Sequence, residues 1–265
     1  MSTASYVQET TENHHKMKNI IHTIAALAIS VSTVAARNIE QPFSVLCDDS
    51  LECKKTGGDF KFWEGLDIGV NGYLTSSNSL TLPAGSPFLE LDYARSHSFS
   101  WNIGQYNLKI VKNYVQVVTG IGLEWNSYAF RNNWSLDPDA PIVTATETNF
   151  DYTKNKLKTT WVNVPVLLEF NTNKNEDESF HIAMGVTGGY NIFSNRLKQE
   201  YTVNGIDSRR KLKDDFNVNP FRYAATVRVG YGDFSIFANY QINEFFKPMR
   251  GPELHPFSGG FTLNF

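Results

Sequence analysis

The sequence predicts an all-β fold, an eight-stranded antiparallel up-and-down β-barrel, and three observations carry that prediction. Between Glu64 and Phe265, eight segments alternate side chains with a period of two, and none shows a convincing helical period. The connections between them alternate long and short. The last segment, PFSGGFTLNF, keeps its alternation to the end: Phe257, Gly259, Phe261, Leu263 and Phe265 share one parity, and Ser258, Gly260, Thr262 and Asn264 the other. An unsupported terminus frays, so a strand that stays regular to its last residue needs neighbours on both sides. In a closed barrel the last strand pairs with the first and no edge is left over.

Ahead of the strands, the chain from Met17 reads MKNIIHTIAALAISVSTVAARN, with a basic Lys18, an apolar run from Ile20 to Val34 and small residues up to Ala36. This is the form of a secretory signal peptide, with cleavage expected after Ala36; residues 1–16 then reflect a start codon set too early. A capping amphipathic helix is the alternative, but its polar face would be sparse. Export makes Cys47 and Cys53, in CDDSLEC, a candidate disulfide that closes a small loop. A metal there would need two more ligands, and Asp48, Asp49 and Glu52 are oxygen donors that suit a thiolate-bound metal poorly. Residues 37–61 are expected to be a periplasmic segment and residues 62–265 the barrel.

The first strand, residues 65 to 75, sets Leu66, Ile68, Val70, Gly72 and Leu74 against Asp67, Gly69, Asn71 and Tyr73. The second, from about 88 to 110, changes parity near Gly104, as a β-bulge does. The third, residues 114 to 130, sets Val115, Val117, Thr119, Ile121, Leu123 and Trp125 against Gln116, Gly120, Gly122, Glu124 and Asn126, with Val118 the exception. In the fourth, TTWVNVPVLLEF, Pro165 has no N–H to give a ladder, so a bulge or an unpaired position is expected there. The fifth starts at Phe180, the sixth runs from Phe221 to Tyr231, the seventh from Phe234 to Asn243, and the closing strand is the eighth. Long loops are expected at 76–87, 131–157, 193–215 and 246–255, and short turns near 111–113, 171–179 and 231–233.

Alternation alone does not say which face is apolar outward, since a soluble lipocalin-like barrel has the same period with faces exchanged. One face carries almost no charge; the other holds Asp67, Glu124, Glu169, Arg222 and Arg228 among Gly, Asn, Thr and Ala, which suits a narrow, filled interior with a buried charge network. Aromatic residues gather at strand ends, at Trp63, Trp125, Tyr128, Trp161, Tyr190, Tyr223 and Tyr231, where membrane-interface girdles sit. These features predict a transmembrane barrel with both chain ends on the short-turn, periplasmic side. The net charge of -3 and the lack of a basic stripe interleaved with aromatics leave nucleic acid without a footprint.

The stretches KNYVQVVTGIGLEWNSYAF, WVNVPVLLEF, FHIAMGVTGGYNIF and SGGFTLNF resemble the PorT-like outer-membrane β-barrel family of the Bacteroidetes. The resemblance implies an eight-stranded barrel in the outer membrane of a Gram-negative bacterium; its named member takes part in protein secretion. The closing Phe257, Phe261, Leu263 and Phe265 resemble the C-terminal signal read by barrel-assembly machinery. The function expected is non-enzymatic, a structural or partner-binding role at the envelope, with outer-membrane lipid, lipopolysaccharide and an envelope protein as partners and no cofactor or metal. Arg209, Arg210, Lys211 and Lys213 are a basic run that could meet lipopolysaccharide phosphates or simply be solvated. A lipid-modifying enzyme would want Ser beside His, and His97 with Ser96, Ser98 and Ser100 is the one suggestive cluster. A soluble periplasmic carrier of a hydrophobic ligand is the remaining alternative.

Overall fold

The computed structural model describes residues 58–175, 178–203 and 205–264. Eight long strands close into a ring: β1 (Gly58–Thr75), β2 (His97–Val111), β3 (Val115–Ala129), β6 (Tyr152–Asn171), β7 (Phe180–Asn191), β10 (Phe221–Tyr231), β11 (Phe234–Gln241) and β12 (Leu254–Leu263). Every neighbour is antiparallel, and the ring closes where Leu66 to Thr75 of β1 pair with Leu263 to Leu254 of β12. Four further strands lie beyond the ring at its long-loop end: the hairpin β4 (Trp134–Leu136) with β5 (Ala145–Glu147), and the hairpin β8 (Asn195–Val203) with β9 (Ile206–Asp214).

The outer wall is a continuous apolar surface. Ile68 and Val70 on β1, Val164 and Val166 on β6, Met184 and Val186 on β7, Val227 on β10, Ile236 on β11 and Phe261 on β12 all stand exposed. A surface of this extent does not stay in water. β10 has 11 residues, about 33 Å of strand at ~3.3 Å per residue. Tilted by ~40°, it rises about 25 Å, the height of a transmembrane barrel's lipid belt. Trp125, Tyr223 and Tyr231 face outward near strand ends, and Tyr190 packs against the exposed Phe221 at 5.0 Å between ring centroids.

Several expectations change in detail. β1 begins at Gly58, ahead of the expected barrel start at 62. The second strand starts only at His97, because the stretch before it, from Pro87, turns in two short 3-10 segments, Pro87–Leu89 and Tyr93–Arg95. The segment 193–215 is largely strand rather than loop, and 131–157 holds the short β4 and β5 and the start of β6, which runs on past the barrel rim and pairs there with β8. Tyr128 and Trp161 are not girdle residues: they share the inward parity of Glu124 and Asn163 and are 2% and 1% exposed. The parity change on β2 is a bulge between Asn102 and Gly104. At Pro165 the β3–β6 ladder lapses between the Thr119–Val166 and Gly122–Asn163 pairs without a change of register. The signal-peptide residues, Cys47 and Cys53 lie outside the described residues.

Candidate functional site

The lumen is filled from the walls inward. Glu124 on β3 and Arg222 on β10 form an ion pair across the barrel, and both side chains are at most 10% exposed. The carboxylate also accepts from Asn126 Nδ2 and Asn163 Nδ2, each at 2.6 Å. Arg222 Nη2 donates to Asn163 Oδ1 at 2.9 Å, and the guanidinium lies 4.5 Å from the centroid of the Trp161 ring. A buried charge is tolerated only when paired and hydrogen-bonded, and this pair is both. Asp67 on β1 meets Arg228 on β10 at 3.1 Å and accepts from Asn102 Nδ2 at 3.2 Å.

Of the five charged residues expected inside, the structure therefore brings four together as two pairs and keeps Glu169 apart. Its Oε1 accepts from Gln116 Nε2 at 2.6 Å and Asn171 Nδ2 at 2.9 Å, so amides hold it outside the charge network in which it was expected. Val118, the exception in the third strand's pattern, packs with Leu167 and Ala183 as a small apolar cluster. Phe237 lies over Gly69, where an added Cβ would come within 3.1 Å of its ring and 2.5 Å of the Gly259 carbonyl. Among these side chains is a cavity of about 60 Å³ lined by Asp67, Glu124, Asn163, Arg222 and Arg228. A cavity of that volume holds a few waters.

At the long-loop end the chain builds a second apolar core, which the sequence pattern did not announce. Tyr73, Tyr128 and Trp161 rise from the lumen to meet Leu89, Phe130, Leu157, Leu197, Phe216, Phe245 and Phe246. Tyr73 donates its hydroxyl to the Leu89 carbonyl, and Tyr128 and Phe245 lie 5.1 Å apart. Backbone hydrogen bonds then tie each loop to the next: Asp92 N to Ala129 O, Val143 N to Arg250 O, Asn219 N to Phe245 O and Lys247 N to Asn217 O, all at 2.8 Å. Lys247 also pairs with Asp215 at 2.6 Å. Burial alone would raise the Asp215 carboxyl, but Lys247 and the Asn217 N–H hold it below the usual aspartate range. On the surface of this cap is an open cleft walled by Phe88, Trp134, Ile142, Val143, Met249 and Pro252.

The serine and histidine singled out in the sequence do not meet. His97 is exposed on the outer wall while Ser98 is 4% exposed on the inner one, as strand alternation requires. The structure pairs a different couple, His181 Nε2 and Ser235 Oγ at 2.8 Å inside the turn end of the barrel. The pairing is cross-strand through β10, where Gly230 stands opposite both residues. Ser235 is 2% exposed, and among the described residues no carboxylate is hydrogen-bonded to that imidazole. Among the described residues there is no cluster of metal-ligating side chains either.

The family model for the outer membrane protein beta-barrel domain matches residues 62–247. The chain belongs to this family. As an outer-membrane β-barrel protein it sets its apolar wall in lipid, its short turns toward the periplasm and its long loops toward the cell exterior. Phe257, Phe261 and Leu263 of the closing strand share the lipid-facing parity, Phe261 and Leu263 exposed and Phe257 stacked on Tyr93; Phe265 lies outside the described residues. Two solved structures of Ail, the attachment invasion locus protein of Yersinia pestis, are similar. One, in complex with the heparin analogue sucrose octasulfate, is 12% identical with a TM-score of 0.31, and the other is 13% identical with a TM-score of 0.30. Each alignment covers 77% of this chain and 99% of that one. No curated protein matches the chain.

Proposed function

We propose that this outer-membrane barrel is non-enzymatic and works by holding an envelope protein through its packed surface loops. One observation carries the reading: the lumen is closed by ion pairs and side chains while the loops above it are locked into a single core that presents an apolar cleft. A filled barrel moves nothing through itself, so its working surface is outside. Rigid loops bind with less ordering cost than mobile ones. Ile142 and Met249, 54% and 92% exposed beside the cleft, suit an apolar side chain of a protein partner. A role tied to protein secretion, which the PorT-like resemblance implies, is the finer form of this reading.

A photo-crosslinking residue at Met249 in intact cells tests it. The expected result is a discrete adduct that disappears in Ile142→Asp, a change that removes apolar contact at an already exposed position. An adduct pattern indifferent to Ile142→Asp, together with unchanged growth and envelope integrity when residues 137–150 are deleted, overturns the reading. The lipid-modifying alternative is tested separately: mass spectra of lipid A from cells lacking the protein are expected to be unchanged.

A further inference from the structure

Beyond the barrel rim, β6, β8 and β9 form a three-stranded sheet that continues the lipid-facing wall outward. Its outward side chains fall in cross-strand rows. Lys158 stands opposite Arg196, which stands opposite Lys213; one row higher, Lys156 stands opposite Lys198 and Lys198 opposite Lys211. These are six cations in two adjacent rows with no acid among them. Like charges directly opposite one another across strands are destabilising. Glu200, one row higher, offsets part of that cost at Lys198, and Lys156 donates to the Arg95 carbonyl at 2.9 Å near Asp92, while no acid stands within the two rows themselves. The third row differs: Lys154 and Arg209 flank Glu200, which pairs with Lys154 at 3.0 Å and Arg209 at 3.7 Å. Asp207, the other acid on this face, is farther still, bonded to Thr202 near the hairpin tip. Arg210, opposite the buried Gln199, belongs to the other face.

The rows also sit at a defined height. His97, Ser127 and Lys158 share one cross-strand row, and two residues below it the exposed rings of Phe99 and Trp125 stack at 5.7 Å opposite Thr160. Exposed aromatics of this kind mark the boundary of the hydrocarbon. At ~3.4 Å per residue and a strand tilt of ~40°, the two cationic rows lie about 5 and 10 Å above that boundary, in the layer of lipid headgroups.

The geometry points to a lipid-binding site: the rows Lys158–Arg196–Lys213 and Lys156–Lys198–Lys211 bind the phosphates of a phosphorylated glycolipid in the outer leaflet, whose acyl chains lie along the apolar wall of β6 below. The site is separate from the loop cleft and stands or falls independently of it. Burial and then the Lys198, Lys154 and Arg196 charges depress the Lys158 ammonium, and Arg196 first, followed by slight burial, Lys213 and Lys198, depresses Lys211. An anion between the rows reverses that repulsion.

The test incorporates the full purified protein into phosphatidylcholine vesicles carrying bis-phosphorylated lipid A, dephosphorylated lipid A, or neither. Lipid that stays with the protein after mild detergent extraction is then counted by mass spectrometry. Bis-phosphorylated lipid A is expected to be retained at least about tenfold over the dephosphorylated form. The variant K158Q/R196Q/K198Q/K211Q should lose at least about tenfold of that retention, since each cation near an anionic membrane surface adds measurably to binding. K154Q/R209Q, in the row already served by Glu200, should keep it. Equal retention of the two lipid A forms by the unmodified protein overturns the proposal without any variant having to fold. So does complete displacement by millimolar inorganic phosphate, which would make free phosphate the ligand.

Discussion

At the scale of single residues, the lumen shows why buried charges are costly to disturb one at a time. Glu124 is held by Arg222, Asn126 and Asn163, so Arg222→Met leaves a buried carboxylate facing amides alone. The expected loss is about 3–5 kcal/mol. Removing both charges, as Glu124→Gln with Arg222→Met, should restore most of that stability, because the orphaned charge and not the lost attraction dominates. Urea titration in detergent, followed by the heat-dependent shift in gel mobility, measures both variants; equal loss in the single and the double variant would contradict the argument. Gly69 sets a steric limit on the same lumen. Its substitution by Val must push back the Gly259 carbonyl as well as the Phe237 ring, and backbone in a closed barrel has nowhere to go. Gly69→Val should therefore reduce the folded fraction more than Gly205→Val, which meets no neighbour within 4 Å.

At the scale of elements, the sequence made the eight wall strands legible because lipid on one side and a packed lumen on the other impose opposite chemistry on alternate residues. Beyond the rim that contrast fades. β8 and β9 carry Arg196, Lys198, Glu200, Arg209, Lys211 and Lys213 on one face, and on the other the apolar Leu197, Tyr201, Val203, Ile206 and Leu212 are interrupted by Asn195, Gln199, Ser208, Arg210 and Asp214, so the segment reads as a charged loop. A signal was nonetheless there: Val203 and Ile206 pair around the dipeptide Asn204-Gly205, a strong short-range hairpin signature, and Gly205 sits at φ +78. Gly205→Val should strain that turn by about 1 kcal/mol and loosen the hairpin alone. Hydrogen exchange should rise across residues 195–214 while the wall strands stay protected. The loop tie at Asp215 has its own pH signature. Its carboxyl is depressed in the folded state, so its stabilisation is fully present above the ordinary aspartate pKa and is lost as pH falls through the lower, folded value. Protease cutting near residues 215–220 should thus stay constant down to about pH 4 and rise only below it.

At the scale of the whole molecule, the layers of the interior act in series. The apolar core of Tyr73, Tyr128 and Trp161 closes the outer end, the Glu124–Arg222 and Asp67–Arg228 pairs cross the middle, and Val118 with Leu167 and Ala183 packs below them. The inward positions were legible in the sequence as a polar face, but the aromatic lid was not, because Tyr128 and Trp161 lie where interface aromatics also occur and parity alone separates the two roles. Blocks in series have a consequence that a single constriction lacks. Truncating one layer leaves the others shut, so Phe237→Ala, which enlarges the lumen beside Gly69, should give no more stable conductance in planar bilayers than the unmodified protein. Both should still migrate faster on SDS gels when left unheated, since closure of β1 on β12 leaves no wall edge from which to unzip. Steady single-channel currents from the unmodified protein would mean that the ion-pair layer moves aside in the membrane, and that the working surface is the lumen rather than the loops.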